Sequence, residues 1–378
     1  MNKILHIITS LDRGGAENHL ASLAALQAKQ KNDIHIIYFR GNNYWVEFLN
    51  KKKISIKKFN IKNNFHLINF FLVIFKIFYF IRKTKPDIVH AHLGLSEIIG
   101  LILKTVFKLN FKFVITKHLD SFLFEGSRGQ NHFFNGIFFE KQIFKTAEQV
   151  IFISKNVKSY FLSKINISSK KTSVIYYGVN KKNISYKKNK IKKIVLKKKH
   201  NEKFILNISR HVPQKRVDMI IKGFAEYQKK NRNTKLILVG YGSETLNLKL
   251  LAKKININAS IYWINYTDNV SDLFKISDLF CLSSTYEGLG LVLLESLLLK
   301  VPVITMNASA MKEVIKNDYS GILMPKNCSP KNFSKAISKI LDNSEFREML
   351  IKNGTITVKE DFNEKKMLKL TSKIYKKI

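Results

Sequence analysis

Acidic residues and cysteine are both scarce in this chain of 378 residues. Its 27 aspartates and glutamates face 66 lysines and arginines, so the formal net charge is +39. The two cysteines, Cys281 and Cys328, form neither a metal-binding spacing nor a disulfide framework, which indicates a reducing compartment. No Asp-x-Asp pair occurs, and paired carboxylates are what would hold Mg²⁺ beside a nucleotide. We therefore expect no disulfide, no bound metal and no other cofactor.

Long uninterrupted apolar segments are also missing. The amino-terminal stretch MNKILHIITSLDRGG has too short an apolar run for a signal peptide. The most apolar segment, 65–81, contains Lys76 and ends before Arg82 and Lys83, which leaves it short of the ~20 apolar residues that span a bilayer. Apolar side chains nevertheless surround most of the helical cylinder. This pattern fits either a buried crossover helix or a helix that contacts a membrane surface.

The excess of positive charge favours two classes of macromolecular partner. A charge of +39 favours nucleic acid or an anionic membrane surface. A general enrichment in Lys, Ile, Asn and Phe explains the charge without any partner. The lysines lack the interleaved aromatic motifs of nucleic-acid-binding proteins, so we expect no nucleic acid and keep the anionic membrane surface as the expected partner.

The length and one shift in composition predict two domains. A chain of this length suggests more than one domain. The segment 181–199 contains ten lysines and no acidic residue, and we place the domain boundary there. The predicted domains are 1–185 and 200–355, followed by a carboxyl-terminal helix in 356–378.

Each predicted domain begins with a strand, a polar turn and a helix. In the first, the strand 3–8 is followed by Gly14 and Gly15 and then a helix, the opening of a Rossmann-like domain. In the second, the strand FILNISR is followed by Arg210 and Lys215 before the next helix. A guanidinium and an ammonium at that point can clamp a diphosphate. A further Gly turn, with Gly240 and Gly242, is predicted to line a cleft at the same end of the strands.

The stretch 281–305 contains the strongest pattern in the sequence. An apolar strand leads into a Gly-rich turn, an apolar helix and a second strand, which together form a βαβ unit. The turn and the helix amino terminus would offer backbone N–H groups to a diphosphate. Glu287 is expected just ahead of the helix and Glu295 two turns inside it, on neighbouring faces. Each glutamate taken alone fits an ordinary helix position equally well.

The string S-x-x-E-G-x-G-x-x-x-x-E, from Ser284 to Glu295, resembles the signature of family 4 glycosyltransferases. The resemblance implies the GT-B fold, an α/β architecture with two Rossmann-like domains facing an interdomain cleft. In that fold 1–185 would bind the acceptor, 200–355 would bind the nucleotide sugar, and the helix in 356–378 would cross back to the first domain. It also implies retaining, metal-independent sugar transfer from a nucleoside-diphosphate sugar, with UDP as the expected nucleotide.

The resemblance assigns roles to individual positions. It implies that Arg210 and Lys215 neutralise the departing diphosphate and that Glu295 binds the ribose. Glu287 and His118, which follows the strand FKFVIT, would act at the transferring sugar. Gly14 and Gly15 would let a donor phosphate or the acceptor approach the backbone. Further positions would bind through main-chain groups: Gly288, Leu289, Gly290 and Leu291 the diphosphate, and Trp263 and Ile264 the nucleobase.

Several positions depart from the family pattern. Leu119 separates His118 from Asp120, Asn180 stands where an Asp is usual, and Asn265 where a Gly is usual. The expected acceptor is a lipid-linked sugar or another saccharide in bacterial surface polysaccharide or lipopolysaccharide assembly, at the cytoplasmic face of the plasma membrane. The alternatives are a sugar-nucleotide epimerase or a phosphorylase of the same fold, and a basic nucleic-acid-binding protein.

Overall fold

The computed structural model describes residues 1–61, 67–121, 130–181, 198–267 and 270–378. The chain divides into two compact units of nearly equal size. Unit 1 comprises Met1–Gly178 together with Glu364–Ile378, and unit 2 comprises Val179–Asn363. Each unit is built around its own parallel sheet.

Unit 1 alternates strands and helices from its first residue. The order of its strands across the sheet is β3-β2-β1-β4-β5-β6-β7. The elements are β1 (Lys3–Ser10), α1 (Gly15–Lys29), β2 (Asp33–Arg40), α2 (Val46–Asn50), β3 (Ser55–Lys58), α3 (Leu67–Thr84), β4 (Ile88–His92), α4 (Gly94–Thr105), β5 (Lys112–Lys117), α5 (Gln130–Thr146), β6 (Gln149–Phe152), α6 (Lys155–Leu162) and β7 (Thr172–Val174).

Unit 2 repeats the alternation with six strands, in the order β10-β9-β8-β11-β12-β13. The elements are β8 (Lys203–Ile208), α7 (Val217–Gln228), β9 (Thr234–Val239), α8 (Thr245–Lys254), β10 (Ile261–Ile264), α9 (Val270–Ile276), β11 (Leu279–Leu282), α10 (Leu291–Leu298), β12 (Val303–Met306), α11 (Met311–Val314), β13 (Ile322–Met324), α12 (Pro330–Leu341) and α13 (Ser344–Asp361). The last helix, α14 (Glu364–Lys377), belongs to unit 1.

Both sheets are parallel, and their inner strands are apolar on both faces. Every residue of β4, β6, β11 and β12 is buried, as expected when helices cover the two faces of a sheet. In such a sheet the side chains that follow neighbouring strands meet at the carboxyl edge. The central pairs β1–β4 and β8–β11 therefore determine where polar groups can collect.

The structure bears on three of the expected boundaries. The carboxyl-terminal segment was expected to be one helix. It forms two, because Phe362 and Asn363 between α13 and α14 are not helical. Most of the expected boundary segment, 182–197, lies outside the described residues, and the first part of unit 1 ends at Gly178. The polar, Gly-containing stretch 121–135 also predicts a loop, but the chain is helical from Gln130, and 122–129 lies outside the described residues.

Helix α3 corresponds to the most apolar segment of the sequence, and it is only half buried. Val73, Ile74, Ile77 and Ile81 pack inward. The opposite face is exposed and also largely apolar, with exposed fractions of 76% at Ile68, 55% at Phe71, 53% at Leu72, 49% at Phe75 and 68% at Tyr79. In the described part of the chain, none of the helices combines the length and apolarity needed to cross a bilayer.

Candidate active site

Lys215 and Glu287 meet at the carboxyl edge of the unit 2 sheet. Lys215 closes a short 3-10 helix after β8, and Glu287 lies in the turn after β11. The Lys215 ammonium contacts Glu287 Oε1 at 2.5 Å, and the Ser284 hydroxyl donates to the same oxygen at 2.6 Å. The two side chains are 12% and 15% exposed, so this charge pair is neither sealed in the core nor free in solvent.

Hydrogen bonds to main-chain carbonyls hold these two turns together. The Thr285 N–H donates to the Gln214 carbonyl at 2.9 Å, and the Gln214 amide donates to the Tyr286 carbonyl at 2.8 Å. The Ser283 hydroxyl lies within 2.8 Å of the Lys215 carbonyl. The turn that carries Lys215 and the turn that carries Glu287 therefore form one preorganised surface.

Arg210 adds uncompensated positive charge to the segment that leads into this surface. Its side chain is exposed, and no described carboxylate lies within ion-pair distance of its guanidinium. Lys215 is already balanced by Glu287, so Arg210 keeps its full charge available for an anion. Arg216 is committed elsewhere, since its guanidinium donates to the Lys326 carbonyl at 3.0 Å.

The Gly-rich turn leads into α10 at a different point from the one expected. Gly290 adopts the left-handed conformation with φ +82° and caps the helix, which begins at Leu291. Glu295 is therefore one turn inside the helix, and Glu287 lies in the turn that precedes Gly290. The sequence predicted Glu295 two turns inside the helix, on a face next to that of Glu287. That prediction was wrong because 287–290 is not helical.

The turn itself is well placed for an anion. Gly288 and Leu289 are buried, Leu291 is half-buried, and the Ser309 hydroxyl fixes the Glu287 carbonyl at 2.8 Å. In the first turn of α10 the Leu293 N–H donates to the Gly290 carbonyl at 2.9 Å, whereas the N–H groups of Leu291 and Val292 precede the first acceptor of the helix. They form the electropositive end that attracts phosphate.

Gly240 and Gly242 have a packing role. A Cβ on Gly240 would lie 1.8 Å from the Ser209 carbonyl oxygen, and one on Gly242 would lie 2.3 Å from that of His211. These glycines let the turn after β9 press against the segment that carries Arg210. Ile264 joins the same arrangement, because its carbonyl accepts from the Gly240 N–H at 2.8 Å.

The Trp263 side chain points into unit 2. Its ring packs edge-on against His211, and its Nε1 is buried without a hydrogen-bond partner among the described residues. Strand β10 is the edge strand of the sheet in the described part of unit 2, so part of its main chain faces away from β9, whereas the Ile264 carbonyl faces β9 and accepts from Gly240. Any base contact here would use the main chain, as the resemblance implied.

Gly14 and Gly15 form the start of α1 in unit 1. Gly14 is the residue that caps the helix, and Glu17 Oε1 accepts from the Ser10 hydroxyl at 2.6 Å. Burial raises the pKa of Glu17. A Cβ on Gly15 would meet only Tyr177 Cε2, at an ordinary 3.8 Å. Within the described residues, the packing around Gly15 does not require a glycine.

His118 follows β5, as expected, but it is buried and both of its ring nitrogens are hydrogen-bonded. Nδ1 lies 2.6 Å from the Tyr177 hydroxyl, and Nε2 lies 3.1 Å from His92 Nδ1. Burial, with smaller contributions from His19 and Lys117, lowers the pKa of His118 well below its usual value. The imidazole is therefore neutral near pH 7.

Of the cluster to which His118 belongs, the sequence indicated only His90 and His92, on one face of their strand, which we interpret as structural. His92 Nε2 lies 3.2 Å from His6 Nδ1, and His6 Nε2 lies 2.8 Å from Gln27 Oε1. His90 contacts Tyr375 and Thr116, at 2.6 and 2.7 Å. The signal available was the alternation His90-Ala91-His92, which puts two imidazoles on one face of a buried strand.

Three of these imidazoles also have a spacing that could hold a metal ion. Ring nitrogens of His6, His90 and His92 lie within 4.8 Å of one another. Hydrogen bonds already account for all six of these nitrogens. A metal would have to displace at least one bond from each imidazole, so the donor set fits a hydrogen-bond network better than a metal site.

Two family models match the chain and together span both units. The model described as Glycosyltransferase Family 4 matches residues 13–183, and the model described as Glycosyl transferases group 1 matches residues 188–357. The chain is a family 4 glycosyltransferase. Its two parallel-sheet units are those of the GT-B fold.

Individual relatives agree with this assignment. An uncharacterized glycosyltransferase of Methanocaldococcus jannaschii is 28% identical, over 97% of this chain and 95% of its own. A Campylobacter jejuni enzyme, named as an N-acetyl-D-galactosaminyltransferase acting on an undecaprenol-diphosphate-linked saccharide, is 25% identical over 94% of this glycosyltransferase and 93% of its own length. The Anabaena HepE structure, solved with UDP and glucose, has a TM-score of 0.83 at 17% identity, with 100% of both chains covered.

Proposed function

We propose that this glycosyltransferase binds the diphosphate of a UDP-sugar at the carboxyl edge of the unit 2 sheet and transfers the sugar with retention. The observation that carries the proposal is the juxtaposition of Lys215, Glu287 and the Gly290-capped helix beside the exposed Arg210. The site offers two cations and a row of helix N–H groups to one anion. The HepE structure, which holds UDP, supports the choice of nucleotide.

The positive charges of the site would allow the reaction to proceed without a metal. As the sugar leaves, negative charge grows on the diphosphate. Arg210 and Lys215 would stabilise that charge because the protein has already positioned them. Glu287 holds Lys215 in place, and we assign it to the transferring sugar, as the family resemblance implies. Glu295, one turn into α10, is assigned to the ribose hydroxyls.

His118 is proposed to contribute to turnover more than to nucleotide affinity. It belongs to unit 1, and its neutral imidazole can neither attract nor neutralise a diphosphate. Gly14 and Gly15 are proposed to admit the acceptor or a donor phosphate to the start of α1.

A panel of nucleotide-sugars in a thermal-shift assay tests the donor assignment. A ligand at 100 times its Kd adds about 2.7 kcal/mol of stability, so a true donor should separate clearly from the others. The expected result is stabilisation by UDP and one UDP-sugar, with transfer that survives chelator treatment and a product of unchanged anomeric configuration. A strict requirement for a divalent metal would overturn the charge argument.

We further propose that the acceptor is a lipid-linked saccharide, reached at the cytoplasmic face of an anionic membrane through α3. The exposed face of α3 carries large apolar side chains and, on the same face, Lys76, Arg82 and Lys83. A helix of this kind lies in the membrane interface, and each nearby Lys or Arg adds about 1 kcal/mol against anionic lipid. The Campylobacter relative, named for a polyprenol-linked acceptor, supports this setting.

Vesicle binding tests the membrane assignment with a matched control. Phe71→Ser/Tyr79→Ser removes exposed apolar area from α3, and Leu246→Ser/Leu250→Ser removes comparable exposed area from α8 of unit 2. We expect salt-sensitive binding to vesicles containing anionic lipid, lost in the α3 variant and kept in the α8 variant. Equal binding by both variants would exclude α3 as the contact, and failure of the wild-type protein to bind at low salt would exclude the membrane.

A further inference from the structure

The buried polar cluster of unit 1 forms a chain with two defined ends. Starting at α1, it runs Gln27, His6, His92, His118, Tyr177, with successive contacts of 2.8, 3.2, 3.1 and 2.6 Å. All five residues are at most 5% exposed. Each imidazole uses one ring nitrogen toward each neighbour. In a neutral imidazole one nitrogen donates and the other accepts, so the direction of any one bond determines the direction of all the others.

The Gln27 end favours one direction. The Gln27 oxygen faces His6 Nε2, so that nitrogen must carry the proton. The Gln27 amide nitrogen is buried and has no hydrogen-bond partner among the described residues, so the oxygen is the Gln27 atom that contacts the histidine chain.

The Tyr177 end favours the same direction independently. Burial, and then the charge of Glu17, raise the pKa of Tyr177 well above its usual value, so the phenol keeps its proton. His118 Nδ1 is the acceptor for that proton among the described hydrogen bonds of Tyr177. The reverse direction would leave a buried O–H without an acceptor, which is unfavourable.

We propose that Gln27, His6 and His92 are positioning residues that hold His118 as its neutral Nε2–H tautomer, with the Nδ1 lone pair directed at Tyr177. The consequence for the reaction rests on the proposed function, in which His118 contributes to turnover. A fixed tautomer holds the His118 ring in one orientation in every catalytic cycle. The relay itself moves no proton: it holds four bonds in one orientation.

The surroundings keep the relay neutral over the working pH range. Burial lowers the pKa of His6 to about 4 and of His19 to about 3, and that of His90, His92 and His118 well below the usual value. The titratable and charged groups packed around His118 come from α1, β1, β4, β5, the segment after β7, and α14: Glu17, His19, His6, His90, His92, Lys117, Tyr177 and Tyr375.

Histidine ¹⁵N NMR on the full-length protein tests the tautomer directly, because protonated and unprotonated ring nitrogens resonate far apart. We expect His118, His92 and His6 to be Nε2–H tautomers at pH 7.5 and to remain so at pH 6. An Nδ1–H tautomer or an imidazolium at His118 would overturn the relay. This measurement needs no substrate, so it can fail or succeed separately from the UDP-sugar assignment.

Two variants then locate the end that sets the direction. Gln27→Met removes the acceptor at nearly constant volume, and we expect mixed tautomers at His118 with kcat about 10-fold lower and the donor KM little changed. Tyr177→Phe removes the other end, and His118 should stay Nε2–H because Gln27 still fixes the chain. Gln30→Met, an exposed residue one position beyond α1, is the matched control and should change neither. Scrambling by Tyr177→Phe but not by Gln27→Met would reverse the assignment.

Discussion

Both units gather polar side chains around the central strands of a parallel sheet, but they treat those side chains differently. In unit 1 five imidazoles are buried, neutral and mostly hydrogen-bonded to one another. In unit 2 the Lys215–Glu287 pair is partly exposed and Arg210 is fully accessible. A neutral network satisfies itself and fixes geometry, whereas an accessible cation retains its capacity for an anion. We therefore propose that unit 1 fixes the orientation of His118 and that unit 2 stabilises charge.

The largest expected difference between the units is in acid stability. A buried imidazole with a lowered pKa contributes stability above pH 6.5 that is lost as the pH falls toward its folded value. For His6, with a folded pKa of about 4, the loss is about 3 kcal/mol. Burial raises the pKa of Glu97 to about 7 and also raises that of Glu17, which act in the opposite sense. Five imidazoles outnumber these two carboxyls, so unit 1 should lose stability between pH 6.5 and 4.

Tryptophan fluorescence can follow each unit alone, because Trp45 belongs to unit 1 and Trp263 to unit 2. In denaturant titrations, the Trp263→Phe variant should report a steep fall in stability on acidification. The Trp45→Phe variant should report a smaller one, since His211 is the one histidine of unit 2 for which burial lowers the pKa. Equal acid sensitivity in both variants would remove the distinction between the two units.

The second prediction concerns turnover. Lys215→Ala removes one preorganised cation from the growing charge of the diphosphate and should lower kcat by about 100-fold. Lys222→Ala is the matched control, because its ion pair with Asp218 lies on the exposed face of α7. Initial-rate kinetics with the best UDP-sugar would measure both. Near-normal turnover in Lys215→Ala would show that the ion pair with Glu287 is structural.

A third, smaller effect should separate the two carboxylates. Glu287 contacts Lys215, whereas Glu295 lies one turn into α10. Glu287→Gln should mainly lower kcat, and Glu295→Gln should mainly weaken nucleotide affinity, each by about 10-fold. Measuring kcat and UDP affinity in both variants tests this prediction. Identical changes in the two variants would contradict separate roles for Glu287 and Glu295.

The smallest effect is expected at Gly15. Its neighbours leave room for a methyl group, so Gly15→Ala should keep or raise stability by about 0.5–1 kcal/mol. If this glycine admits a ligand to the backbone, the same variant should lose activity. Gly240→Ala should behave oppositely and lose stability first, because its Cβ would collide with the Ser209 carbonyl. Full activity in Gly15→Ala would make that glycine a simple turn residue.

The sequence predicted the fold well because parallel strands and their turns leave local signals. The apolar strands, the Gly-rich turn before α10 and the basic residues after β8 all lie where their patterns placed them. Glu295 was misplaced by one turn because a left-handed Gly290 delays the start of the helix, and an apolar sequence gives no sign of that delay.

Most of the histidine cluster could not be predicted from local patterns, for a different reason. The bond from His90 to Tyr375 joins residues 285 positions apart, and that from His6 to His92 joins residues 86 apart. Such contacts depend on the order of strands in the sheet and on the return of α14 to unit 1. Neither can be derived from spacing along the chain.

Direct binding of UDP to the full chain is the sharpest test of the central claim, that the cations of unit 2 hold the donor diphosphate. Isothermal titration should show wild type and Lys222→Ala binding with equal affinity. Arg210→Ala should bind at least about 10-fold more weakly, because it loses a charge-assisted contact worth roughly 1.5–3 kcal/mol. The weakening should shrink as salt is raised. Equal UDP affinity in Arg210→Ala and wild type would contradict the account.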